Sequence, residues 1–314
     1  YKNLRRVVGE RIEYADATSI EGLKASGGDG KIIALVNEKI ETSKGNLLLD
    51  VEDPSGQQTV YVNKDDEKLV KAYEDVLPDD VVGFKGFLKN DLYIAKDITH
   101  PDIPVNRDPR YADEEVYAAF MSDIHVGSYL FMEKEFEGFL KWVNGEGSHR
   151  EISSKLKYIL IAGDLVDGIG VYPGQERELT IPDIYKQYDF LAMLLENIPA
   201  HIQVVLGMGN HDAVRLAEPQ PTLPKDICPR MYEQPNLHLV GNPVKLSLHG
   251  VRVLMYHGNS LDTVIKNVAG VNYREPEKPM IEYLKRRSLS PTYGSDGIVP
   301  EDRDYLFIDR APDI

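Results

Sequence analysis

Residues 157–168 read KYILIAGDLVDG, an apolar, β-branched run that stops abruptly at Gly163-Asp164. An unbroken apolar run bounded by glycine is the pattern of a strand buried on both faces. The same pattern recurs on either side of it. Residues 116–121 lead into Ser122-Asp123-Ile124-His125, residues 202–206 lead to Gly209-Asn210-His211-Asp212, and residues 251–256 end at Tyr256-His257-Gly258. The four motifs start roughly 41 to 48 residues apart, room for a strand, a crossover helix and the next strand. Between them, residues 133–143 place Phe136, Phe139, Leu140 and Val143 on one helical face, and residues 184–195 carry a second helix. The spacing predicts an α/β domain with helices on both faces of its sheet and antiparallel additions late in the chain.

Open α/β sheets bind ligands beyond the carboxyl ends of their strands, where all four motifs fall. Asp123 and His125, two residues apart in extended chain, are expected to point the same way and grip one cation. Asp164 has two oxygens with which to bridge a pair of cations ~3.5–4 Å apart. Asn210 offers an amide oxygen and His257 an imidazole to the second cation. His211, beside a ligand, is left to give a proton to a leaving alkoxide, with Asp212 expected to hold its tautomer. Asp167 is better placed to support a ligand than to be one. Two divalent ions are implied. The mixed N/O donor set favours Mn²⁺, then Fe²⁺ or Zn²⁺, over Mg²⁺. Such a centre hydrolyses phosphate esters. The other histidines (His100, His149, His201, His238, His249) stand in no comparable context and are expected at the surface or in the core.

Ahead of this domain, residues 1–30 are polar and end in Ala25-Ser26-Gly27-Gly28-Asp29-Gly30, a flexible linker by composition. Strands are predicted at 31–38, 46–52, 58–62, 80–88 and 91–98, with a helix at 66–76 between the third and fourth. That order is an OB-fold, a small five-stranded barrel spanning 31–104. Its role is nucleic-acid binding through Tyr61, Phe84, Phe87 and Tyr93, or a platform for protein contacts if alternation turns those rings inward. His100-Pro101-Asp102-Ile103-Pro104 and Asp108-Pro109 break regular structure, so the second domain is taken as 105–314.

The 314 residues are 42% hydrophobic and 28% charged, ordinary for a globular chain. No apolar run nears the ~20 residues that span a bilayer, so no membrane association is expected. One cysteine, Cys228, excludes an internal disulfide and suits a reducing cytoplasm, the expected location. A net charge of −15 excludes coating of nucleic acid by charge alone. It does not exclude a nuclease, whose carboxylates are offset by bound cations. Lys285-Arg286-Arg287 is either a local basic patch or a solvated helix end.

The four motifs resemble those of the calcineurin-like metallophosphoesterase family. The resemblance implies a sandwich of two mixed sheets flanked by helices, Asp123, His125, Asp164, Asn210 and His257 as metal ligands, and His211 as an aid to catalysis. With the barrel, Asp102-Ile103-Pro104, Ala217-Glu218-Pro219-Gln220-Pro221, Thr292-Tyr293-Gly294 and Asp304-Tyr305-Leu306, the chain is also similar to the small subunits of archaeal D-family DNA polymerases. That implies a proofreading 3′→5′ exonuclease acting on single-stranded or mispaired 3′ DNA ends, with a large polymerising subunit as partner. Met208 stands where that family commonly has proline. The family's last motif, Gly-His-x-His, gives one ligand to each metal and would follow Ile314. Without it, weak metal binding and low activity are expected. Two other functions fit parts of the pattern, a non-catalytic scaffold subunit and a stand-alone phosphodiesterase of small molecules.

Overall fold

The computed structural model describes residues 1–104, 106–294 and 297–314. It divides into two units, Tyr1–Arg107 with Ser260–Asp296 and Asp302–Ala311, and Asp108–Asn259 with Gly297–Glu301 and Pro312–Ile314.

In the first unit β1 (Asp29–Glu41), β2 (Leu47–Asp53), β3 (Gly56–Val62), β4 (Val81–Lys89) and β5 (Leu92–Thr99) close a barrel in the order β1-β2-β3-β5-β4. All pairs are antiparallel except β3 with β5. The helix predicted between the third and fourth strands is α3 (Glu67–Asp75), capped by the Asp66 carboxylate, which accepts from the Lys68 and Leu69 N–H groups. Period-2 alternation turns Leu49, Val51, Val60, Val62, Val82 and Ala95 into the barrel core. Phe84 and Tyr93 are buried there too, so two of the four candidate stacking rings are core residues.

Residues 1–30 are not the flexible linker expected. They form α1 (Lys2–Gly9), a 3₁₀ turn and α2 (Ile20–Ser26), and bury Val8, Tyr14, Ile20 and Leu23. Charged side chains on the outer faces dominate the composition and hide these sparse apolar anchors.

Nor does the second unit take all of 105–314. α8 (Leu261–Asn267) and α9 (Glu277–Arg286) belong with the barrel. The reason lies in the basic triplet, which is neither a patch nor a solvated end. Arg286 is 2% exposed, with its Nε 3.2 Å from Asp80 Oδ1 and a second ion pair to Glu282, while Lys285 pairs with Asp75. Burial pushes the Asp80 carboxyl up, but Arg286 and His100 outweigh it and hold it below the usual carboxylate range.

The second unit opens with β6 (Tyr117–Met121) and α4 (Glu133–Val143), then a short α5 (Arg150–Ser153) and β7 (Leu156–Ala162). It continues through α6 (Ile184–Leu195), β8 (Gln203–Gly207), α7 (Pro229–Glu233) and β9 (Leu237–Leu239) to β10 (Val244–Leu248) and β11 (Val251–Met255). β6-β7-β8-β9 form an all-parallel sheet, and β10-β11 a separate antiparallel pair. α4 and α6 bury Phe136, Leu140, Tyr188 and Leu191 in one core cluster with Ile159, Ile161, Val204 and Leu206 of the sheet. Leu160 and Val205 cluster instead with Val253 and Met255. The result is helices, parallel sheet and hairpin in three layers.

Arg286→Met strips Asp80 of its guanidinium inside the protein, which costs about 3–5 kcal/mol. Urea unfolding should show that loss at neutral pH. Asp80 titrates below the 3.8 of an unperturbed aspartate, so its share of stability is present above that pH and lost as pH falls. The loss caused by the variant should therefore shrink in acid.

Candidate metal centre

The centre is built where β6, β7, β8 and β11 end, entirely within the second unit. Past β6 and β7 the chain continues as paired loops. The N–H groups of Asp123, His125 and Val126 donate to the carbonyls of Gly163, Asp164 and Leu165, and Asp167 N–H returns a bond to Val126. Asp123 (φ 55°), His125 (φ 51°) and Asp164 (φ 50°) all sit in the left-handed region. For non-glycine residues this costs of order 1 kcal/mol each, a strain typical of functional sites. Asp123 and His125 thus come together through a turn, not through the strand alternation expected.

Asp164, 3% exposed, lies at the middle. Its Oδ1 accepts from the His211 N–H at 2.9 Å and lies 3.4 Å from His257 Nε2, while its Oδ2 lies 3.5 Å from His125 Nε2. Asp123 Oδ1 is 3.7 Å from His125 Nε2, and Asn210 Oδ1 is 3.1 Å from His257 Nε2. Two glycines make this approach possible. A Cβ on Gly209 would fall 2.2 Å from Asp164 Oδ1, and one on Gly163 2.6 Å from His257 Nδ1.

Three imidazoles are oriented alike. His257 Nδ1 is 2.8 Å from the Ala162 carbonyl, His125 Nδ1 3.1 Å from Asp167 Oδ1, and His211 Nδ1 2.7 Å from the Asp167 carbonyl. Each Nδ1 is thereby held against an acceptor oxygen, which leaves Nε2 as the ring nitrogen available to the centre, and in His125 and His257 it already faces the Asp164 carboxylate. The donor atoms fall into two sets within 4.8 Å, His125 with Asp164 and His211, and Asp123 with Asp164 and His257. Asp164 belongs to both. Asp123 and His125, expected on one ion, have Oδ1 and Nε2 3.7 Å apart, and His211 joins His125 and Asp164 in one of the two candidate sets.

Asp212 plays a different part from the one expected. It is buried, accepts from Gly209 N–H at 2.8 Å and from Tyr188 hydroxyl at 2.9 Å, and does not touch the His211 ring. Adjacent residues in the turn face opposite ways, so the carboxylate points into the core while the imidazole points out. Asp167 takes the tautomer-setting role through its backbone oxygen. Behind it, Gln175, with no exposed surface, donates Nε2–H to that same carbonyl and to Asp167 Oδ2 at 2.8 and 2.9 Å. Gln220 donates to the Gly209 carbonyl at 3.0 Å, and Asn242 Oδ1 accepts from His257 N–H at 2.9 Å. Gln175 opens a single 3₁₀ turn and Asn242 forms an isolated bridge with Gln220, neither long enough to leave a periodicity that marks it. Gln220 sits in the Ala217–Pro221 motif, noticed only through the resemblance.

The charges are coupled. The hydrogen bond from His125 pulls the Asp123 carboxyl down to about 2, and Asp123 in turn raises His125. Burial works against the His257 cation, but Asp164 outweighs it and lifts the imidazole to about 9. Burial drives Asp212 up to about 6.

Two carboxylates, an amide oxygen and inward Nε2 atoms are a donor set for divalent transition ions. Residues 117–305 match the calcineurin-like phosphoesterase pattern, and the chain belongs to that family. The chain is also 44% identical to the DNA polymerase II small subunit of Pyrococcus abyssi over 319 residues, which cover 99% of the chain and 51% of that protein. The subunit of the same name from Methanocaldococcus jannaschii is 43% identical over 90% of the chain and 48% of its own length. That of Halobacterium salinarum is 36% identical over 100% and 61%. The chain spans about half the length of the Pyrococcus and Methanocaldococcus relatives. The likeness to archaeal polymerase small subunits read from the motifs is thereby borne out. Among the described residues no helix is long and apolar enough to cross a membrane.

Because His257 holds its proton up to about pH 9, a cation must displace it, and Mn²⁺ affinity should climb with pH until that value. Calorimetric titration in buffers of different ionisation enthalpy should show proton release at pH 7; none would refute the assignment of His257. Gln175→Leu leaves Asp167 half-supported. It should weaken Mn²⁺ binding by roughly tenfold while circular dichroism stays unchanged.

Proposed function

We propose that this chain is the hydrolytic small subunit of an archaeal replicative DNA polymerase, a 3′→5′ exonuclease that trims single-stranded or mispaired 3′ ends beside a large polymerising partner. The observation that carries the hydrolytic part is Asp164, one oxygen facing His125 and the other His257. The polymerase assignment is supported by relatives named DNA polymerase II small subunit.

Asp123, His125, Asp164, Asn210 and His257 would hold two divalent ions, Mn²⁺ best suited to the donor set. When bound, they supply Lewis acidity toward a phosphodiester and an acidified water as nucleophile. The remaining work falls to the chain's own groups. His211, its Nδ1–H fixed on the Asp167 carbonyl, presents Nε2 to the same space as the ligand atoms. In its protonated form that nitrogen gives its proton to the departing 3′-oxygen, so the penultimate nucleotide leaves as an alcohol. Asp212 contributes by anchoring the loop that carries Asn210 and His211, through Gly209 and Tyr188.

The test is Mn²⁺-dependent shortening of a 5′-labelled single-stranded oligonucleotide, with a small chromogenic diester in parallel. A one-nucleotide ladder is expected, abolished by EDTA and reduced by roughly 10²–10⁴-fold in kcat by His211→Ala. Cleavage of the small diester alone would point to a small-molecule phosphodiesterase. Mn²⁺ binding without cleavage of either would point to a scaffold.

A further inference from the structure

Next to the metal centre, in the same unit, lies an open groove of about 600 Å³. Its near wall is the centre itself, through Asp123, His125 and His211. Away from the centre the lining turns apolar, with Ile124, Phe131, Phe136 and Phe139 inside and Leu130 and Met132 on the rim. Those last two are 69% and 63% exposed. Large apolar side chains left in water around a polar centre mark a surface shaped for a ligand. Tyr172 forms part of the lining, its ring 6.2 Å from that of His211 and its hydroxyl bonded to Glu178 at 2.8 Å.

The charge pattern selects the occupant. Among the described residues, Glu135 and Glu178 line the groove and no lysine or arginine does. A phosphate would be repelled along it, so a nucleic-acid backbone does not run through it. What fits is an uncharged, flat group tethered to a phosphate held at the centre.

We propose that this groove is a subsite for the nucleobase of the terminal nucleotide, whose own phosphate lies at the metal centre. The assignment rests on the phosphodiesterase reading above and extends it. The base lies against the aromatic lining of the groove, which includes Phe131, Phe139 and Tyr172, where stacking accepts any base through its π-face. Glu135 accepts from an exocyclic amine where one is present. The site thereby holds the nucleotide to be removed by its base rather than by the backbone behind it. A frayed or mispaired end frees that base to enter, whereas a paired and stacked one does not.

Calorimetry with Mn²⁺ and this chain would compare deoxyadenosine 5′-monophosphate with 2-deoxyribose 5-phosphate. The nucleotide should bind roughly tenfold tighter or better. The Leu130→Ala, Met132→Ala double variant, altered only at exposed positions, should bring that ratio toward one. Equal affinities in the unaltered chain, or no nucleotide binding, would overturn the subsite. In parallel, oligonucleotides with an intact or an abasic 3′-terminal residue would be digested, the intact end faster. Base-dependent binding with no hydrolysis of either oligonucleotide would keep the subsite and sink the phosphodiesterase reading. Equal hydrolysis of both would sink the subsite and keep the enzyme.

Discussion

A carboxylate taken almost wholly out of water is unfavourable unless other groups replace its hydration. Asp164 is such a group, and the centre is organised around compensating it. One oxygen faces His125, the other faces His257, and the His211 backbone N–H is donated to it. Burial pushes its pKa up, yet His257 and His211 hold the carboxyl below the usual range. The same arrangement leaves both oxygens directed at imidazole nitrogens that a divalent ion would also use. The groups that compensate the buried carboxylate are therefore among those that gather around it in the two candidate donor sets.

Holding that arrangement in place falls to side chains outside the two candidate donor sets. Asp167 receives His125 on its carboxylate and His211 on its backbone oxygen, so a single residue sets the tautomer of two rings. Gln175 fixes Asp167, and Asn242 fixes the His257 backbone. Asp212 and Tyr188 tie the β8 loop to α6. Left-handed backbone at Asp123, His125 and Asp164 is strain that this network sustains. Ion pairing does comparable work in the first unit, where Arg286 and Asp80 are both buried and hold α9 on the barrel.

Sequence alone determined what periodicity and residue chemistry can carry. Alternating and continuous apolar runs marked the barrel strands and β6, β7, β8 and β11. Helical spacing located α3, α4 and α6, because each buries a stripe wide enough to see. Asp123, His125, Asp164, Asn210, His211 and His257 were legible as a group because Asp, Asn and His recur at strand ends. Tertiary structure alone decided the rest, for reasons of direction and distance. Asp212 follows His211 in the chain yet faces the core, since a turn reverses side-chain direction from one residue to the next. α1, α2 and α9 were hidden because their few anchors, Val8, Leu23 and Arg286 among them, sit in polar surroundings. Gln175 and Asn242 reach the centre only through folding, as hydrogen bonds form between residues that the chain brings close and not between those it lists in order.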